Sequence, residues 1–174
     1  MKKMLLLLAV LLAGCTGKPD NITPVSNFDA ARYLGKWYEI ARLDHSFERG
    51  LSNVTADYSM RGDGGIKVVN RGFNGEKNAW TDAVGKAYFV DKADVGHLKV
   101  AFFGPFYASY IVFDLDQPGY QYSMITGPDK SYLWILSRTP AMDDATKKRL
   151  VDKAQALGYD TSKLIYVSHD KPSK

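Results

Sequence analysis

The chain of 174 residues contains one cysteine, Cys15. A single sulfur excludes an internal disulfide, a Cys-x-x-Cys pair and a thiolate metal site. Histidine is nearly as scarce, and His45, His97 and His169 stand too far apart to suggest a metal cluster. No Gly-x-Ser-x-Gly, His-Glu-x-x-His, phosphate-loop or dinucleotide pattern is present, which argues against an enzyme built on any of those chemistries. Long hydrophobic runs are missing as well. The leading apolar run, Met4 to Ala13, has ten residues, about half of the roughly 20 that a membrane-crossing helix needs. Charge of one sign is not in excess either. There are 23 basic and 19 acidic side chains, and removing a leader with Lys2 and Lys3 leaves 21 against 19, too even a balance to argue for nucleic acid.

What is present begins at the N-terminus. Lys2 and Lys3 precede the apolar run, and small residues precede Cys15, the layout of a secretory signal. Leu12-Ala13-Gly14-Cys15 resembles the lipobox of bacterial lipoproteins. That resemblance implies cleavage after Gly14, a diacylglyceryl group on the Cys15 thiol and acylation of the new amine. A Cys15 modified in this way is no catalytic nucleophile, and two or more acyl chains anchor a protein stably where one does not. The alternative is an ordinary cleaved signal with an incidental cysteine. Thr16, standing where an Asp usually retains such proteins at the inner membrane, implies the outer membrane, with the periplasmic face expected. Residues 1–14 are therefore read as the signal peptide. Residues 15–27, polar and carrying Pro19 and Pro24, read as a lipidated tether able to reach roughly 40 Å if extended. Residues 28–174 read as one domain.

Within that domain the dominant hydrophobic period is two, interrupted by turn residues about every ten positions. Eight runs stand out: 35–43, 51–60, 66–73, 80–89, 97–103, 107–115, 120–126 and 132–138. Arg61-Gly62-Asp63-Gly64-Gly65 and Asn74-Gly75 are hairpin signals, and Gly104-Pro105, Gln117-Pro118-Gly119 and Gly127-Pro128-Asp129 separate the later runs. A helix follows, with Asp143 or Asp144 as its cap, Leu150, Val151, Ala154 and Leu157 as its apolar stripe, and Gly158 just past its end. Residues 164–167 form a short ninth strand. An all-β fold is expected, an eight-stranded antiparallel up-and-down barrel with one C-terminal helix packed outside, because closure removes both exposed sheet edges.

Gly35-Lys36-Trp37 opens the first run, and Tyr132-Leu133-Trp134-Ile135-Leu136-Ser137-Arg138 forms the last. In order and spacing these resemble the first and last signatures of the lipocalins. The flanking residues are most similar to the bacterial outer-membrane lipocalins and to apolipoprotein D. Residues 104–110 stand where lipocalins carry a middle signature, without its usual Thr-Asp-Tyr wording. The resemblance covers essentially the whole mature chain. It implies that Gly35, Trp37 and Arg138 are structural, with the Arg138 guanidinium over the Trp37 indole at the closed end. Residues 28–34 would be a short helical turn plugging that end.

The resemblance also implies an internal cavity for an apolar molecule. Taking Trp37 as inward places Glu39 and Ala41 inside on the same strand, and parity on the others nominates Tyr58, Tyr88 or Phe89, Phe102, Tyr110, Val112, Met124 and Trp134 as lining. Simple core filling is the competing reading for each aromatic. Glu39 is unusual, since a carboxylate facing an apolar interior needs a partner, water or a raised pKa. It would favour a ligand hydroxyl or ammonium over a carboxylate, or else pair with a structural Tyr or Arg. The first long loop carries Arg42, His45, Phe47, Glu48 and Arg49, with Phe47 as a cover for the mouth and Arg42 or Arg49 as partner for a phosphate or carboxylate, the competing reading of the charges being a solvated polar loop.

The function implied is storage or transport of fatty acids or lysophospholipids at the outer membrane, for membrane maintenance or repair. No cofactor and no metal is expected. The partners are the lipid ligand and the membrane reached through the N-terminal anchor; a homodimer is left open. The competing readings are an envelope lipoprotein with a filled barrel that binds a protein, and a lipid-modifying enzyme, which in this family commonly uses a free thiol absent here.

Overall fold

The computed structural model describes residues 16–171. The signal peptide and the lipidation of Cys15 lie outside the described residues. Eight strands run in a meander: β1 (Gly35–Arg42), β2 (Leu51–Met60), β3 (Ile66–Asn74), β4 (Ala79–Phe89), β5 (His97–Ala101), β6 (Ala108–Leu115), β7 (Tyr122–Thr126) and β8 (Leu133–Ser137). Each is antiparallel to the next, and β1 pairs with both β2 and β8, which closes the barrel. A two-residue strand, β9 (Ile165–Tyr166), adds to β1. The expected boundaries differ from the observed ones by at most two residues, because Gly and Pro turns set them.

In a meander, alternate connections lie at the same end. The β2–β3, β4–β5 and β6–β7 connections share one end with the short helix α1 (Ala30–Tyr33), whose first amides donate to the Asp29 carboxylate. This end is plugged. The β1–β2, β3–β4, β5–β6 and β7–β8 connections share the other, which is open.

Strand alternation sorts the apolar residues into two cores. On β8, Trp134 and Leu136 face the barrel interior, while Leu133 and Ile135 face out toward the second helix, α2 (Asp144–Ala156). Burial on both faces is why residues 133–136 read as a continuous apolar run rather than an alternating one. Leu150 and Ala154 of α2 are fully buried against that outer face. Asp143, not Asp144, caps the helix through the Thr146 amide at 2.8 Å, and Gly158 ends it at φ +88°, where a side chain would be strained. Asp143→Ala is expected to cost about 1 kcal/mol, seen as a drop of roughly 3 °C in Tm by thermal melt.

One expectation fails here. The described part of residues 15–27 is not a free tether. Ile22 is buried, Val25 exchanges backbone hydrogen bonds with Val112 and Gly96, and the Gly17 carbonyl accepts from Ser109 Oγ at 2.6 Å. Polar composition marked the stretch as solvated, but its backbone groups have partners on the barrel wall. On α2, Lys147, Lys148 and Arg149 keep side chains that reach solvent and pair with Asp144, Asp152 and Asp114.

Candidate functional site

The plugged end is built around Trp37, which is 0% exposed. Its indole Nε1 donates to the Tyr33 carbonyl at 2.8 Å, so the strand is tied to the plug. The Arg138 guanidinium lies 3.9 Å from the centre of the indole ring and donates to the carbonyls of Lys36, Arg32 and Tyr120. Gly35 sits at φ +88° with Arg138 Nη1 3.6 Å from where a Cβ would stand. One cation therefore joins α1, β1 and the β6–β7 connection.

Above this plug the barrel holds a cavity of about 760 Å³. Its floor carries a closed set of hydroxyls: Tyr33 to Ser123 at 3.0 Å, Tyr33 to Tyr110 at 2.9 Å, and Tyr58 to Tyr110 at 2.8 Å. Burial pushes the Tyr33 pKa up to about 12 and raises those of Tyr58 and Tyr110 well above the usual phenol value, so the floor is uncharged. The walls are aliphatic, with Val54, Ile66, Val68, Ala87, Leu98, Val100, Ile125 and Leu136 among them. Phe47, Phe103, Phe106 and Tyr132 stand at the mouth, where His45 stacks between Phe47 and Tyr132. Burial holds the His45 pKa below its usual value.

The buried charged residues of the lining are both acids, while Arg71 and Asp82, which pair with each other, line it as well. Glu39 and Glu48 both line the cavity, and both are buried. Arg42 Nη1 donates to Glu39 at 2.6 Å, while its Nη2 donates to the Glu48 and Leu51 carbonyls. Trp134 Nε1 donates to the Glu48 carboxylate at 2.9 Å. The guanidinium bonds one acid and two backbone carbonyls and reaches the Glu48 carboxyl only through its charge, so burial prevails over pairing. The Glu39 pKa is pushed up to about 8 by burial first and Glu48 second, against the pull of Arg42. Burial raises that of Glu48 as well.

Comparison with known proteins decides the family. A model of the lipocalin-like domain matches residues 28–169. This chain belongs to the lipocalin-like family. It is 55% identical to the outer membrane lipoprotein Blc of Vibrio cholerae over 163 residues, covering 94% of this chain and 95% of that protein. It is 50% identical to Blc of Escherichia coli K12 over 91% of this chain and 90% of that one. Rat apolipoprotein D is more distant, at 33% over 84% of each chain. Among solved structures, insecticyanin from the tobacco hornworm superposes with a TM-score of 0.69 at 24% identity, covering 91% of this chain and 88% of that one. The close relatives are outer membrane lipoproteins, and so is this lipocalin.

Of the residues nominated for this lipocalin's pocket by parity, Glu39, Tyr58, Phe102, Tyr110 and Trp134 line the cavity. Phe89 and Val112 do not. They face inward but lie below the floor, where Phe89 packs edge-on against Phe28 of the plug and Val112 joins the same core. Parity assigns a face and says nothing about depth. Met124 is on the wrong face: it pairs with Ile135 in the core beneath α2, and its neighbours Ser123 and Ile125 point in. Ala41 is likewise outside, because the register shifts between Glu39 and Ala41. That bulge turns Arg42 inward, so Arg42 is a buried partner of Glu39 rather than a loop cation, while Arg49 is exposed and paired with Asp44. The wall residues Val68, Ala87 and Leu136 were missed, although two-residue steps from Ile66, Phe89 and Trp134 reach each of them.

The raised Glu39 pKa has a consequence for stability. Between its ordinary value of 4.5 and about 8 the folded protein holds a proton that the unfolded chain has released. Stability contributed by the protonated carboxyl is therefore lost as pH rises through that window. Thermal melts at pH 5, 6.5 and 8 should show the decline in the wild type and a flatter profile in Glu39→Gln.

Proposed function

We propose that this outer-membrane lipocalin is a carrier for single-chain acyl lipids, taking lysophospholipids with an ammonium headgroup in preference to fatty acids, and that it stores or moves them during membrane maintenance. The observation that carries the reading is a largely aliphatic cavity of about 760 Å³ whose wall includes two buried carboxyl groups, those of Glu39 and Glu48. Burying about 14 methylenes at ~0.8 kcal/mol each supplies on the order of 11 kcal/mol gross, before several kcal/mol of association cost. Chain burial alone therefore supports micromolar or tighter binding. Glu39 and Glu48 then bias the headgroup. A ligand ammonium favours ionisation of Glu39 and gains an opposite charge, whereas a ligand carboxylate holds Glu39 protonated and gains none.

The reading is of a binding protein rather than an enzyme, as the lipocalin family supports. Native mass spectrometry with equal concentrations of lysophosphatidylethanolamine, lysophosphatidylglycerol and palmitate tests it. One-to-one adducts ranked with the ethanolamine lipid first are expected, and Glu48→Gln should compress the ranking. Calorimetry in two buffers at pH 7 should register proton release for the ethanolamine lipid and none for palmitate. No adduct with any acyl lipid would overturn the carrier reading.

A further inference from the structure

The hydroxyls at the cavity floor form a row. Ser123 bonds Tyr33, Tyr33 bonds Tyr110 and Tyr110 bonds Tyr58, and among the described residues none of the four hydroxyls has a partner outside the row. Tertiary structure assembles it, from α1, β2, β6 and β7. Each hydroxyl has one hydrogen to donate and two lone pairs that accept. Three bonds among four hydroxyls use three hydrogens, so the row has one O–H more than it can satisfy internally. Its two ends are unlike. Ser123 is fully buried, whereas Tyr58 lines the cavity and makes a single bond, to Tyr110 at 2.8 Å. A row that donates toward Ser123 leaves the Tyr58 oxygen able to accept, and a row that donates toward Tyr58 leaves its O–H to give. In either direction the cavity meets a phenol with capacity for one more hydrogen bond.

Charge restricts what can take that bond. Burial keeps the three phenols protonated, with the pKa of Tyr33 pushed up to about 12 and those of Tyr58 and Tyr110 raised well above the usual phenol value. A charged group brought to such a floor exchanges its water for neutral dipoles, which is unfavourable. An anion also meets Glu39 and Glu48, whose charge acts on Tyr58. Arg138 offers no compensation, since its guanidinium is held over Trp37 by three backbone carbonyls. Among neutral groups, a ketone or ether oxygen only accepts and fits one direction of the row. A hydroxyl both gives and takes, and fits both.

The strands decide which end of a ligand carries it. Tyr58 pairs with Gly35 at the start of β1, and Glu39 stands four residues further along that strand, toward the open end. Glu48 lies in the β1–β2 connection at that end. A headgroup kept by the two acids therefore leaves its acyl chain to run down onto Tyr58.

We propose that Tyr58, backed by Tyr110 and Tyr33, is a second polar subsite of the cavity, and that it takes a hydroxyl carried on the acyl chain at the end away from the headgroup. The ligand class is then single-chain lipids hydroxylated at the chain terminus. A methyl-ended chain fills the same space and leaves the remaining capacity of Tyr58 unmet, which sets the preference. The inference rests on the carrier reading and specifies the chain where that reading specifies the headgroup.

The test uses lysophosphatidylethanolamines in isosteric pairs: a chain of eight, twelve or sixteen carbons ending in a hydroxyl, against the methyl-ended chain one carbon longer. Equal amounts of the two compete for the full lipoprotein, and native mass spectrometry weighs the lipid released from the one-to-one adduct. The expected result is a preference of about fivefold for the hydroxyl member in at least one pair. In Tyr58→Phe, with a thermal melt to check the fold, the same pair should invert to about tenfold in favour of the methyl member, because the chain hydroxyl is then buried without a partner. A purely structural Tyr58 would shift both members alike and leave the ratio where it was. A wild-type ratio of one or below at every length overturns the proposal without recourse to the variant. A hydroxyl preference that survives Tyr58→Phe also overturns it, because the hydroxyl is then met elsewhere. Methyl-ended adducts with no hydroxyl preference sink this inference alone, whereas no adduct with any member sinks the carrier reading beneath it.

Discussion

Ala87→Trp is expected to leave the barrel folded and nearly empty of lipid. Ala87 is buried on β4, pairs with Ile66 and presents its methyl to the cavity wall. An indole there projects into open space rather than into packed atoms, so the overpacking cost of small-to-large changes is largely avoided. It takes the room of about five methylenes, removing about 4 kcal/mol of chain burial and weakening binding on the order of a thousandfold. Lysophospholipid titration monitored by native mass spectrometry, with a thermal melt of the same sample, checks both halves. Unchanged binding would place the ligand outside the cavity.

Trp37→Ala is expected to have the largest effect on stability. The indole is fully buried, packs at a tilt against Tyr33 with ring centres 4.8 Å apart, bonds the Tyr33 carbonyl and receives Arg138 on its face. Truncating a buried Trp costs about 3–5 kcal/mol, and the cation left over an empty space adds to that. For a domain of this length the Tm should fall by roughly 10 °C or more. Trp134→Ala makes the informative contrast. That indole borders the cavity and holds the Glu48 carboxylate, so its removal should disturb headgroup ranking more than the melt. Equal loss of stability in the two variants would mean that Trp134 is a core residue like Trp37.

The acidic wall connects these points. An apolar cavity with a hydroxyl floor would bind an acyl chain without regard to its polar end. Glu39 and Glu48, short of cationic partners, make one side of it sensitive to charge and to pH. The arrangement depends on the bulge in β1, which places Glu39 and Arg42 on the same side of the strand. An unbroken strand would have put Arg42 outside and left Glu39 without its ion pair.

Much of this was legible in the residues themselves. Gly-Pro and Asn-Gly turns marked the strand ends, the two-residue period marked the strands, and Gly35, Trp37 and Arg138 marked the plugged end through their resemblance to a family. Glu39 stood out because a carboxylate on the inward face of an apolar strand needs an explanation. The errors have equally local causes. Parity puts Met124 inside, since an apolar residue on a strand buried on both faces carries no sign of which core it joins. Phe89 and Val112 were given the right face and the wrong depth, since height along a barrel depends on the shear between strands. Ala41 and Arg42 exchanged sides at a bulge that no turn residue announces.

By itself the sequence determined the number and order of the strands and the C-terminal helix, because these follow from local periodicity and turn chemistry, while the closed end was legible through the resemblance of Gly35, Trp37 and Arg138 to a family. Only the tertiary structure decided which apolar residues surround empty space rather than one another, that one arginine pairs with a single one of two neighbouring buried acids, and that residues 16–27 lie along the barrel wall. Those outcomes depend on register, bulges and strand stagger, which are set by how strands far apart in the chain meet.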